Sequence, residues 1–103
     1  KLPDMIERAF DFSIPLKKLS SSNDFLLELF HGPTSAFKDV GARFLAQCFA
    51  AVPADNETRT ILVATSGDTG GAVAAAFHGH ENVRVLVLFP DGRVSATTSR
   101  HCA

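Results

Sequence analysis

Lys38 directly follows the apolar Phe37, where a helical spacing of apolar residues begins. The amino end of a helix disfavours a nearby positive charge, and partial burial would favour the neutral amine further. A neutral amine is what Schiff-base chemistry requires. The plainer alternative is a solvated lysine in a first helical turn. A second chemical segment is Ala64-Thr65-Ser66-Gly67-Asp68-Thr69-Gly70-Gly71, where an apolar run gives way to small, flexible residues. Backbone N–H groups at a following helix start, with the Ser66 and Thr69 hydroxyls, would form an anion site for a carboxylate or a phosphate. The spacing does not choose between the two anions. It fits neither a dinucleotide fingerprint nor a Walker loop. The plainer alternative here is an ordinary strand-to-helix turn.

These residues must be held by the elements around them. Met5, Ile6, Ala9 and Phe10 give residues 2–10 the period of a short helix, closed at Ile14-Pro15-Leu16. Ser20 to Asp24 reads as a turn, Phe25 to Phe30 as a short strand, and His31 to Ser35 as a loop. Phe37, Val40, Gly41, Phe44, Leu45 and Cys48 then recur at helical spacing, with Thr34 or Ser35 as the N-cap and Pro53 as the stop. Asp39 falls in the first turn, where the dipole favours it. Residues 60–65 form an apolar strand, 66–71 a glycine-rich turn, 72–78 a helix and 83–89 a second apolar strand. Near-continuous apolar strands alternating with helices predict an α/β fold, a small three-layer domain with a mostly parallel sheet. The sheet has few strands within this chain.

His31-Gly32-Pro33-Thr34 with Ala36-Phe37-Lys38-Asp39, followed by Ala64-Thr65-Ser66-Gly67-Asp68-Thr69-Gly70, resembles the paired signatures of the threonine synthase family. Phe37-Lys38-Asp39 followed by Gly41 is also similar to the lysine motif of fold-type-II pyridoxal-phosphate enzymes. Residues 9–16 and 89–95 fit the same pattern, so the resemblance spans about residues 3–95. It implies pyridoxal 5′-phosphate as cofactor and conversion of O-phosphohomoserine and water to threonine and phosphate. It further implies that Lys38 bonds the cofactor and then moves protons. Phe37 and Asp68 would lie against the cofactor, and Ser66, Gly67, Asp68 and Thr69 would receive the substrate. Family chains continue well beyond this length, and the loop that grips the cofactor phosphate lies further on in them. The resemblance therefore implies that this chain alone is inactive. Residues 96–103 depart from the family pattern and are expected to be a disordered tail beyond a partial small domain over 1–95.

Composition narrows the alternatives. The 103 residues are 46% hydrophobic and 20% charged, with a formal net charge of −1, as in a folded soluble chain. Such a balance gives no case for nucleic acid or membrane as partner. The nine Phe residues have no basic stripe beside them, so they are read as core. Two cysteines make no disulfide framework, and no signal-peptide pattern opens the chain, so the expected setting is cytoplasmic. Cys48 reads as a small core residue and Cys102 as an exposed thiol. His78 and His80 lack a third ligand, and no metal is expected. Position 1 is Lys rather than Met, as in a processed or excised piece. Two rivals remain: a related phospho-lyase that releases phosphate and ammonia to give a 2-oxo acid, and a non-catalytic α/β fragment that self-associates.

Overall fold

The computed structural model describes residues 1–21, 23–52 and 57–92. The chain opens with helix α1 (Leu2–Ala9), which has Pro3 and Asp4 in its first turn and Arg8 in its last. Proline needs no amide partner there, and both charges oppose the helix dipole favourably. The helix stops at Ala9, well before Pro15, because Arg43 captures its terminal carbonyls. Arg43 Nε donates to the Ala9 carbonyl at 2.6 Å, and its terminal nitrogen donates to Arg8 at 3.2 Å. The same nitrogen pairs with the Asp11 carboxylate at 2.7 Å. One guanidinium thus satisfies two of the orphan acceptors of the helix end. Phe10 stacks on Phe44 with ring centroids 6.5 Å apart, which adds an apolar contact to the same junction.

Strands β1 (Leu16–Lys18) and β2 (Phe25–Leu27) form an antiparallel hairpin with Leu16 opposite Leu27. The sequence reading missed β1 and extended β2 to Phe30. The ladder ends sooner because Pro15 accepts one bond from the Glu28 N–H and has no N–H to return. β2 also stays apart from the later strands, so it does not begin the parallel sheet.

Helix α2 (Lys38–Ala51) is followed by β3 (Arg59–Ala64), α3 (Asp68–Phe77) and β4 (Val83–Leu88). β3 and β4 pair in parallel from Arg59 opposite Val83 to Ala64 opposite Leu88. The α/β class with a parallel sheet is therefore as expected. The core joins Ala42 and Ala46 of α2 to Ala72, Ala76 and Phe77 of α3, with Ile61, Val83 and Val85 packed beneath. Phe49 meets Phe77 edge to face at 5.5 Å.

One boundary and one buried face differ from the sequence reading for the same reason. The glycine-rich turn expected to reach Gly71 ends before Asp68, and Gly70 and Gly71 lie buried inside α3. Each costs the helix about 1 kcal/mol relative to alanine. Small side chains on both helices let the two backbones approach closely, and that packing outweighs the propensity. On α2, likewise, the buried stripe is Ala42 and Ala46, while the larger Leu45 is 45% exposed. The helices cover one face of the strand pair. On its other face Leu62, Leu86 and Leu88 are 61%, 50% and 52% exposed, so the described residues supply two of the three expected layers. Among the described residues, no helix is long and apolar enough to cross a membrane. The expected Pro53 stop and the 96–103 tail lie outside the described residues.

Candidate active site

Lys38 is the first residue of α2, and its ammonium sits 4.6 Å from the centroid of the Phe37 ring. Both side chains are exposed, so the partial burial expected for Lys38 is not found in this chain. Nor does Thr34 or Ser35 cap α2; Phe37 occupies the N-cap, and no side chain caps it. The Thr34 hydroxyl is instead committed to Asp39, donating to Oδ1 at 2.7 Å while the Thr34 N–H donates to Oδ2 at 2.9 Å. Asp39 is 1% exposed. A Cβ on Gly32 would lie 2.7 Å from Asp39 Cβ, so only glycine fits beneath this carboxylate. Ser35 closes the loop with φ 57° and an N–H bond to the Gly32 carbonyl at 3.0 Å. A non-glycine residue in that region costs on the order of 1 kcal/mol, offset here by the bonds around it.

A cavity of about 430 Å³ lies against this helix start. Its walls include Leu29, Phe37, Lys38, Val40 and Leu45, with Thr69 and Val73 from α3. Packing of α2 on α3 therefore brings Lys38 and Thr69 to one apolar cavity, although 31 positions separate them in the sequence. Ser66 lies instead on a second, open cleft at the carboxyl ends of β3 and β4, with Thr65, Leu88 and Phe89. Parallel strands of α/β sheets commonly present ligand sites at that end. Gly67 N–H donates to the Thr65 hydroxyl at 3.1 Å, so Thr65, which sequence reasoning passed over, shapes the loop and occupies one amide expected to face an anion. Asp68 is exposed as the first residue of α3, where the helix dipole favours a carboxylate by about 0.3–1 kcal/mol.

The residues present fit the reactive end of an aldehyde cofactor, because Lys38 offers an amine on an apolar wall beside an aromatic ring. Among the described residues lining this cavity Lys38 is the one cation, so a cofactor phosphate would find little else to grip here.

His31, which opens the loop before α2, donates from Nε2 to Glu28 at 2.7 Å. Lys17 pairs with the other oxygen of that carboxylate at 3.0 Å. The His31 hydrogen bond, and then Lys17, hold the Glu28 carboxyl below its ordinary value of 4.5. A carboxylate held low in the folded state stabilises the fold above its unfolded pKa. That contribution disappears as pH falls through the lowered folded value. The melting temperature of the chain should therefore exceed that of Glu28→Gln at neutral pH, with the gap closing in acid below about pH 4.5. A gap independent of pH would remove Glu28 from this role. Among the described residues, no three His, Cys, Asp or Glu side chains converge as metal ligands.

Together these features define an α/β segment that carries a lysine-lined cavity. No protein-family model matches the chain. It is 56% identical over 94 residues, 91% of its length, to threonine synthase of Haemophilus influenzae. The crystal structure of threonine synthase from Escherichia coli matches 91% of the chain at 50% identity with a TM-score of 0.79. The pyridoxal-phosphate-bound threonine synthase of Brucella melitensis matches 85% at 50% identity with a TM-score of 0.75. The chain aligns with a segment of each of these threonine synthases, spanning 22% of the Haemophilus and Escherichia coli chains and 19% of the Brucella chain.

Proposed function

We propose that the segment carries the cofactor lysine and part of the substrate loop of a threonine synthase, a lyase that releases phosphate from O-phosphohomoserine and forms threonine. The observation that supports this most is the meeting of the two motif segments, through Lys38 and Thr69, at one apolar cavity. Pyridoxal phosphate, when bound, supplies the electron sink for a substrate carbanion. Lys38 Nζ bonds the cofactor and afterwards takes and returns a proton. Phe37, Val40 and Leu45 keep water from part of that space. Ser66 and Thr69 receive the substrate carboxylate at the amino end of α3, on a loop that the Gly67–Thr65 bond shapes, and Asp68 stands beside the polar edge of the cofactor ring. A cytoplasmic setting accords with two cysteines that make no disulfide framework.

Product analysis tests the reaction. The full-length enzyme carrying this segment, given O-phosphohomoserine and pyridoxal phosphate, should yield threonine and phosphate in equal amounts. Phosphate accompanied by ammonia and a 2-oxo acid would replace this reading with the phospho-lyase.

A further inference from the structure

We propose that Asp39 is a positioning residue for Lys38, acting through a clamp on Thr34; this rests on the reading of Lys38 as the cofactor lysine. Asp39 is the next residue along the chain, so any force on its backbone also sets the direction of the Lys38 side chain. Its carboxylate is 1% exposed and turns away from solvent, back onto the loop before the helix. Both oxygens are used there, one by the Thr34 N–H at 2.9 Å and one by the Thr34 hydroxyl at 2.7 Å. A buried carboxylate held by paired donors is costly to misplace, which makes the geometry rigid.

Gly32 packs against the Asp39 side chain with no room for a Cβ, so the loop cannot shift toward the carboxylate without collision. The turn from Gly32 to Ser35 is closed by its own backbone bond at 3.0 Å. The first turn of α2 is tied in series, with the Asp39 N–H on the Ala36 carbonyl at 3.0 Å and the Val40 N–H on Phe37 at 3.3 Å. No side chain caps this helix start. The Thr34–Asp39 clamp instead ties the first helical turn to the loop before it, and so fixes the one turn from which Lys38 projects. An exposed lysine has many rotamers, and a fixed backbone origin is what limits where its nitrogen reaches.

The test compares Thr34→Val, which removes one donor and keeps the N–H, with Thr34→Ser, which restores the hydroxyl. Both are made in the full-length enzyme that carries this segment and followed by three readouts. These are kcat, the absorbance of lysine-bound pyridoxal phosphate, and amide hydrogen exchange. Thr34→Val should lower kcat by about 10- to 100-fold while cofactor still loads, because misplacement of about 1 Å can cost 10²-fold. Exchange should quicken at the amides of Thr34, Ser35 and Asp39 and stay unchanged along β3. Thr34→Ser should recover both. Asp39→Ala should repeat the Thr34→Val phenotype more strongly, and the double variant should add little. Unchanged kcat in Thr34→Val with quickened loop exchange would overturn the proposal, as would equal loss of protection in the loop and in β3. Absence of the lysine-bound absorbance in the unaltered enzyme would overturn the cofactor reading and the proposal with it. The exchange data would then still report whether the clamp exists, so the two failures are told apart.

Discussion

Lys38→Ala in the full-length enzyme will remove the absorbance of lysine-bound cofactor and lower turnover by about 10²–10⁴-fold or more, the range lost with a positioned proton carrier alone. Folding should not suffer. The side chain is exposed, and its recorded ring contact is with its own neighbour Phe37. Alanine is also the better residue at a helix start, because it removes a positive charge from the positive end of the dipole. The melting temperature should therefore hold or rise slightly as activity disappears, a split that a structural lysine would not give. Borohydride reduction of the cofactor-loaded enzyme, followed by peptide mapping, should place the label on Lys38. Lys1, Lys17 and Lys18 are the other lysines in the sequence. Lys17 is already paired with Glu28 at 3.0 Å, away from the cavity. A label mainly on Lys17 or Lys18 would refute the assignment.

What the sequence made legible, and what it did not, follows from the range of the forces involved. Apolar runs marked β3 and β4 to within a residue or so, because three β-branched residues in a short apolar run leave few alternatives. The start of α3 was placed four residues late, since local propensity counts Gly70 and Gly71 against a helix while their burial is a tertiary effect. The apolar period of α2 was read from its large side chains, yet the buried stripe is made of alanines, whose small size matters only once the partner helix is present. At the site, residue types singled out Lys38 and Thr69, but their meeting at one cavity needed the α2–α3 contact. Thr34 was taken for a cap because its type and position suit one. Its actual partner, Asp39, also lies in the first turn, and nothing in a linear spacing says which donor a carboxylate will fold back upon. The Glu28–His31–Lys17 cluster was invisible for a similar reason: β1 was too short and too polar to announce itself, so Lys17 had no predicted neighbour.

By itself, the 103-residue chain should show negligible release of phosphate from O-phosphohomoserine, even with pyridoxal phosphate added. Its length is about a fifth of that of the relatives it matches. The cavity that holds Lys38 has walls from α2, α3 and Leu29, but Lys38 is exposed at its edge. An amine in that position can still react with an aldehyde. The bound group would be poorly oriented, and orientation can account for about 7–11 kcal/mol of a barrier. Water would reach the carbanion and protonate it at random, because among the described residues no element covers Lys38. Among the described lining residues Lys38 is the one cation, which leaves the cofactor phosphate without a further charged partner from them and weakens retention. The bare face with Leu62, Leu86 and Leu88 should meanwhile draw copies of the chain together, as exposed apolar patches do. Sedimentation of the purified chain should then show oligomers, and their formation should not bring activity. Phosphate release at the rate of a complete threonine synthase, abolished by Lys38→Ala, would mean that these residues already hold a closed site, and the account of Lys38 as an exposed, half-enclosed amine would fall.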